Sequence, residues 1–130
     1  MLLVCRFDVP PLDAAELRAR ARTALELLTA QPGCRGGELG RSADEPGSWV
    51  LVVRFDSVDA YRRALNPFPI REHVVPLLAQ ARTDGPATFE TLLSATDGAA
   101  VEHASLLADQ RMSTGERPAR RNSPRDPSLP

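Results

Sequence analysis

Few side chains in this sequence are equipped for chemistry, and they lie far apart. His73, at the end of Asn66-Pro67-Phe68-Pro69-Ile70-Arg71-Glu72-His73, carries an imidazole. It could serve as general base toward a phenol or as an iron ligand; a partly exposed helical histidine doing neither reads the same way. Tyr61, four residues after Ser57, could hydrogen-bond a quinone oxygen, although a core tyrosine with its hydroxyl at the surface has the same signature. Phe7, Trp49, Phe55 and Phe68 could line a flat slot for an aromatic ligand, with packing the competing role. Arg71 and Glu72 fit a solvated helix face, from which Arg71 could steady an acidic group of a substrate. Cys5, inside an apolar run with no base near it, reads as a small buried hydrophobe. The sequence offers no glycine-rich phosphate loop, no metal-ligand cluster and no Ser-His-Asp order.

Composition narrows the classes further. The chain has 130 residues, enough for one core, with 42% hydrophobic and 25% charged residues, the balance of a soluble globular protein. Its basic residues are all arginine and are nearly matched by 17 Asp and Glu, so the formal charge of −1 gives no electrostatic case for nucleic acid or an anionic membrane. The opening MLLVC lacks a basic region, and its apolar run is broken by Arg6 and Asp8, unlike a signal peptide or membrane span. Cys5 and Cys34 follow no disulfide spacing and suit free thiols, which places the protein in the cytoplasm.

Six elements must position these groups. Residues 2 to 9 read as a strand ended by Pro10-Pro11. A helix follows, with Asp13 and Glu16 as a capping box, Leu12 and Leu17 as a staple, and Leu17, Ala21, Ala24, Leu25 and Leu28 as its apolar stripe. It stops at Pro32-Gly33. A weak strand from Gly36 to Ser42 and a strong one from Trp49 to Phe55 flank the turn residues Asp44-Glu45-Pro46-Gly47 and form a hairpin. Ser57 can cap a second helix marked by Val58, Tyr61 and Leu65, which Pro67 and Pro69 interrupt before helical spacing resumes over residues 70 to 82. The last strand runs from Ala87 to Leu93. This order, β-α-β-β-α-β, is the ferredoxin-like split βαβ motif of an α+β fold, with both helices on one face of the sheet. Arg6-Phe7-Asp8 and Arg54-Phe55-Asp56 echo each other at the two strand ends, as two halves of one sheet would. The domain therefore spans residues 1 to 94; residues 95 to 130 form a tail, with a short helix over 99 to 111 and disorder beyond.

The strands are apolar on both faces. Leu3, Cys5, Phe7 and Val9 point one way and Leu2 and Val4 the other; Trp49, Leu51, Val53 and Phe55 likewise oppose Val50 and Val52. Helices on one side leave the second set uncovered, which predicts a homodimer built sheet on sheet. Arg6, Asp8, Arg54 and Asp56 share a face parity and could pair across such a barrel to fix register.

The element order, the helix end at Pro32-Gly33 and the stretch VLVVRFDSVDAY make the chain resemble the antibiotic-biosynthesis monooxygenase family of dimeric α+β barrels over residues 1 to 94. The resemblance implies a pocket between the sheet and the helices of each subunit. It also implies oxidation of planar aromatic polyketides or quinols by molecular oxygen without a bound cofactor, or, in one branch, the binding and degradation of haem. Members often carry Glu-x-Trp late in the third strand, where this chain has Val53 and Phe55, and a His in the following helix, where it has Ala64. In the haem branch a Trp sits near Ala64 and an Asn near Cys5, while His73 has the spacing of the iron ligand. The expectation is a cofactor-independent monooxygenase with His73 and Tyr61 as catalytic residues and Phe7, Trp49, Val53, Phe55, Ala64, Phe68 and Arg71 around a small aromatic substrate. The alternatives are a haem or tetrapyrrole binder and a non-catalytic small-molecule-binding dimer.

Overall fold

The computed structural model describes residues 1–105. They fall into two compact units, the first being Met1–Glu90 and the second beginning at Thr91. In the first unit, β1 (Leu2–Asp8), β2 (Cys34–Arg41), β3 (Ser48–Phe55) and β4 (Thr88–Phe89) make one sheet in the order β2-β3-β1-β4. The helices are α1 (Ala14–Thr29), α2 (Val58–Ala64), α3 (Phe68–His73) and α4 (Val75–Leu78). The α+β, ferredoxin-like reading holds.

Strong alternation fixes the central pair. β1 runs antiparallel to β3 from Leu2 opposite Arg54 to Asp8 opposite Ser48. The amino terminus continues the ladder, its ammonium donating to the Phe55 carbonyl at 2.8 Å. A one-residue slip would turn the whole buried set outward, so the apolar pattern itself specifies register. The inward residues Leu3, Cys5, Phe7, Leu51, Val53 and Phe55 are buried against Leu17, Ala21, Ala24 and Leu28 of α1. Ile70, Val74 and Leu77 from the second helical region complete this core. Leu2, Val4, Val50 and Val52 lie on the other face, only half-buried, and none joins the core.

Local chemistry explains most element ends, and several depart from expectation. Ser57 caps α2 as anticipated, its hydroxyl accepting from the Ala60 N–H at 3.0 Å. The Asp13 capping box and the Leu12 staple do not form. Pro10-Pro11 launch a 3₁₀ turn, Pro11–Asp13, that already gives Asp13 helical torsions, so its carboxylate makes no cap hydrogen bond and Leu12 is 97% exposed. The single helix expected over residues 70 to 82 is instead α3 and α4, broken at Val74 because Pro76 has no N–H to donate and its ring crowds the preceding turn.

The helix expected to start at residue 99 is a strand. In the second unit, β5 (Leu93–Thr96) pairs antiparallel with β6 (Ala99–Glu102) through Asp97-Gly98. Both turn residues have positive φ, 53° and 79°, the torsions of the two-residue hairpin turn that Asp-Gly favours. The strand expected at residues 87 to 93 correspondingly reduces to β4, and the chain leaves the sheet after Phe89. The remainder of the expected tail, from residue 106 on, lies outside the described residues.

The charged groups expected to pair across a barrel have partners nearer at hand. Arg6 binds Asp84 at 3.0 Å, Arg54 binds Glu38 at 3.3 Å, Arg82 reaches Asp8 at 3.9 Å, and Arg35 forms a two-point contact with Asp56. All are exposed pairs on one chain, each worth under about 1 kcal/mol.

Candidate functional site

A cleft of about 760 Å³ lies between α1 and the β2 edge of the sheet in the first unit. Packing at one end and divergence at the other create it. Where β2 packs tightly against α1 the strand carries Gly37; a Cβ there would come within 2.9 Å of Leu25 Cδ2 and 2.8 Å of the Val52 carbonyl oxygen. Toward the N-terminal half of α1 the helix no longer closes on the strand, and the cleft opens beside Leu39, Gly40 and Arg41.

Trp49 forms the base of this cleft. It is 6% exposed, and its indole N–H donates to the Pro46 carbonyl at 2.9 Å, which holds the ring in place. Arg41 is the residue paired with Trp49 across the β2–β3 ladder, so both side chains belong to the helix-facing side. The helix contributes Ala15, Arg18, Ala19, Arg22 and Glu26, with Leu25 deeper. Arg22 and Glu26 pair along the helix at 3.6 Å. Arg18 and Arg41 have no ion-pair or hydrogen-bond partner among the described residues. The result is an apolar slot with an aromatic base and a cationic rim, of the size that holds a drug-sized molecule.

Of the residues singled out from sequence, only Trp49 lines this cleft. Phe7, Val53, Phe55 and Ala64 are buried in the core, whereas Phe68 is 66% exposed and Arg71 is exposed. Tyr61 is half-buried beneath the other end of the sheet, edge-on to Phe55 with ring centroids 5.4 Å apart. Burial, with a smaller contribution from Cys5, pushes its phenol above the ordinary value and keeps it protonated. His73 projects from α3 with its side chain 53% exposed, 3.5 Å from Glu72. It borders a second depression of about 230 Å³ with Arg20, Thr23, Glu72 and Ala19, the last of which also lines the cleft. The sequence did hold a signal for the position of this cleft. A turn centred on Glu45 makes residue numbers sum to 90 across the hairpin, which puts Arg41 opposite Trp49.

The implied haem does not fit what surrounds His73. The depression there is below the roughly 300 Å³ at which sites for drug-sized ligands begin, and its other lining groups are the charged Arg20 and Glu72 and the small Ala19 and Thr23. Cys5, in the place of the haem branch's Asn, is buried in the core, with its thiol pushed up to about 11 by desolvation. No group of three or more His, Cys, Asp or Glu side chains able to hold a metal occurs among the described residues, and no helix among them is long and apolar enough to cross a membrane.

A four-stranded antiparallel sheet with helices on one face and a cleft between helix and sheet is the architecture of small α+β oxygenases and their relatives. Comparison of the sequence makes the assignment: residues 1–68 match the antibiotic biosynthesis monooxygenase family, and the chain belongs to it. Solved structures agree. The chain is 33% identical to SnoaB, a cofactor-independent oxygenase from Streptomyces nogalater, over 62% of this chain and 82% of that one, with a TM-score of 0.53. Rv0793 from Mycobacterium tuberculosis is 25% identical over 65% of this chain and 84% of its own, also at 0.53. A conserved protein from Methanosarcina mazei shares the fold at a TM-score of 0.55 with 14% identity, covering 65% of this chain and 82% of that chain. No curated protein sequence matches the chain significantly.

Proposed function

We propose that this protein is a cofactor-independent monooxygenase of planar aromatic compounds and that the α1–β2 cleft is where its substrate binds. The observation that carries the reading is the cleft itself, a slot of about 760 Å³ over Trp49 in a chain of this family. Similarity to a cofactor-independent oxygenase supports the reaction class. An anthrone-type substrate loses a proton from its ring methylene, and the resulting carbanion transfers electrons to oxygen. One oxygen atom becomes the new carbonyl; the other leaves as water with the two hydrogens of the methylene. The apolar walls disfavour solvation of the anion and shield it from side reactions. Among the cleft residues Glu26 alone has a side chain able to accept the proton, and we assign it that role. Neither His73 nor Tyr61 reaches this cleft, so the base function first considered for them is not needed here.

The protein acts as a homodimer in this reading. Support comes from Leu2, Val4, Val50 and Val52, apolar side chains on the face away from the helices that are only half-buried and outside the core, which a second sheet would cover fully.

Oxygen-electrode measurements with dithranol, an anthrone, test the function. Uptake should exceed autoxidation in buffer, fall by about 100-fold in Glu26→Gln, the usual scale of a lost general base, and vanish when Ala19→Trp fills the cleft. His73→Ala and Tyr61→Phe should keep the wild-type rate. Uptake no faster than buffer, or indifferent to Ala19→Trp, overturns the proposal.

A further inference from the structure

The charge of the cleft says more about its ligand than its shape does. Its side chains carry three cations, Arg18, Arg22 and Arg41, and one anion, Glu26. Arg22 and Glu26 satisfy each other at 3.6 Å. That leaves Arg18 on the helix wall and Arg41 on the strand wall uncompensated, facing one apolar slot from its two sides. Arg6, Arg35, Arg54, Arg62 and Arg82 have carboxylate partners at the surface. Arg20, Arg63 and Arg71 have none among the described residues, but they do not line this cleft. Arg41 is also fixed in position by its backbone, which is paired directly with Trp49, so a ring lying on the indole has this guanidinium at its edge. A guanidinium presents a planar fork of donors suited to two carboxylate oxygens, and a partly water-excluded apolar wall strengthens that attraction.

We infer that the cleft takes its planar aromatic ligand as a carboxylate, with the ring over Trp49 and the anionic group held between Arg18 and Arg41. Arg18 and Arg41 then determine specificity, favouring the acid over neutral analogues of the same shape, which bind more weakly. This rests on the cleft being the substrate site proposed above, and it concerns binding alone.

Trp49 is the only tryptophan in the chain, so its fluorescence reports on this cleft without a label. Full-length protein is titrated with anthraquinone-2-carboxylate and with anthraquinone-2-carboxamide, a neutral probe of equal shape, with inner-filter correction. The acid should quench with a dissociation constant at least about tenfold below that of the amide, the scale of one charge-assisted contact. Arg18→Gln and Arg41→Gln should each remove most of that preference, weakening the acid far more than the amide; Arg41→Lys should keep part of it. Both arginines are exposed, and unchanged circular dichroism confirms that the variants fold. Equal affinity for acid and amide, a preference unaffected by either Gln variant, or no quenching by either probe overturns the inference. Oxygen uptake with anthrone-2-carboxylic acid beside dithranol separates the two claims. Turnover without acid preference sinks the carboxylate clamp alone, and acid preference without turnover sinks the oxygenase alone.

Discussion

Arg41 and Trp49 sit directly across from each other on neighbouring antiparallel strands, on the side of the sheet that faces α1. One is a buried indole and the other an exposed cation, and between them they set the base and rim of the same cleft. Their relationship comes from hairpin register, which the Asp44-Glu45-Pro46-Gly47 turn holds with the Ser48 N–H donating to the Glu45 carbonyl at 2.8 Å.

At Gly37 the strand packs tightly against both α1 and β3, and the substitution Gly37→Val tests that. Its new Cβ meets the Val52 carbonyl at 2.8 Å and Leu25 at 2.9 Å, so backbone and helix must both shift. Urea unfolding should show a loss of about 1 to 3 kcal/mol, the usual cost of overpacking. An unchanged midpoint would mean that the helix is not seated there.

The half-buried apolar face of the sheet predicts association. Light scattering at micromolar concentration should give twice the monomer mass for the native chain and the monomer mass for Val52→Asp, because an uncompensated carboxylate in an apolar interface costs several kcal/mol. A native chain that runs as a clean monomer contradicts the dimer.

Cys5 makes stability sensitive to alkali. Burial raises its thiol from 9.0 to about 11, so the folded chain holds the proton after the unfolded chain has released it. The contribution is complete below pH 9 and is lost as pH rises toward 11. Urea midpoints measured at pH 8.5 and 10.5 should therefore fall further for the native chain than for Cys5→Ala, by an amount on the order of 1 kcal/mol. Equal falls would show that the thiol titrates normally.

His73 lines the second depression and not the cleft, beside Glu72. Haemin titration should give the same Soret spectrum for the native chain and His73→Ala. A band that shifts only when His73 is present would establish ligation and revive the tetrapyrrole alternative.

Much of the architecture was legible because it is written in periodic patterns. Alternation in residues 2 to 9 and 49 to 55 specified two central strands, and the stripe of Leu17, Ala21, Ala24 and Leu28 specified a helix face; all are buried as those periods require. Signals that depend on a competing neighbour were misread. Asp13 looked like a cap until the proline-driven turn took its torsions, and Asp97-Gly98 is a hairpin turn whose flanking residues have no strong strand signature of their own.

The sequence by itself determined which faces of strand and helix are apolar, where the second helix is capped, and that one sheet face has no helix to cover it. Tertiary structure alone decided where the cleft lies. Whether His73, Tyr61 or Arg41 lines it depends on which elements border the space between α1 and β2. Those borders are distances between segments remote in the chain, set by the packing of the whole core, and no local pattern of residues encodes them.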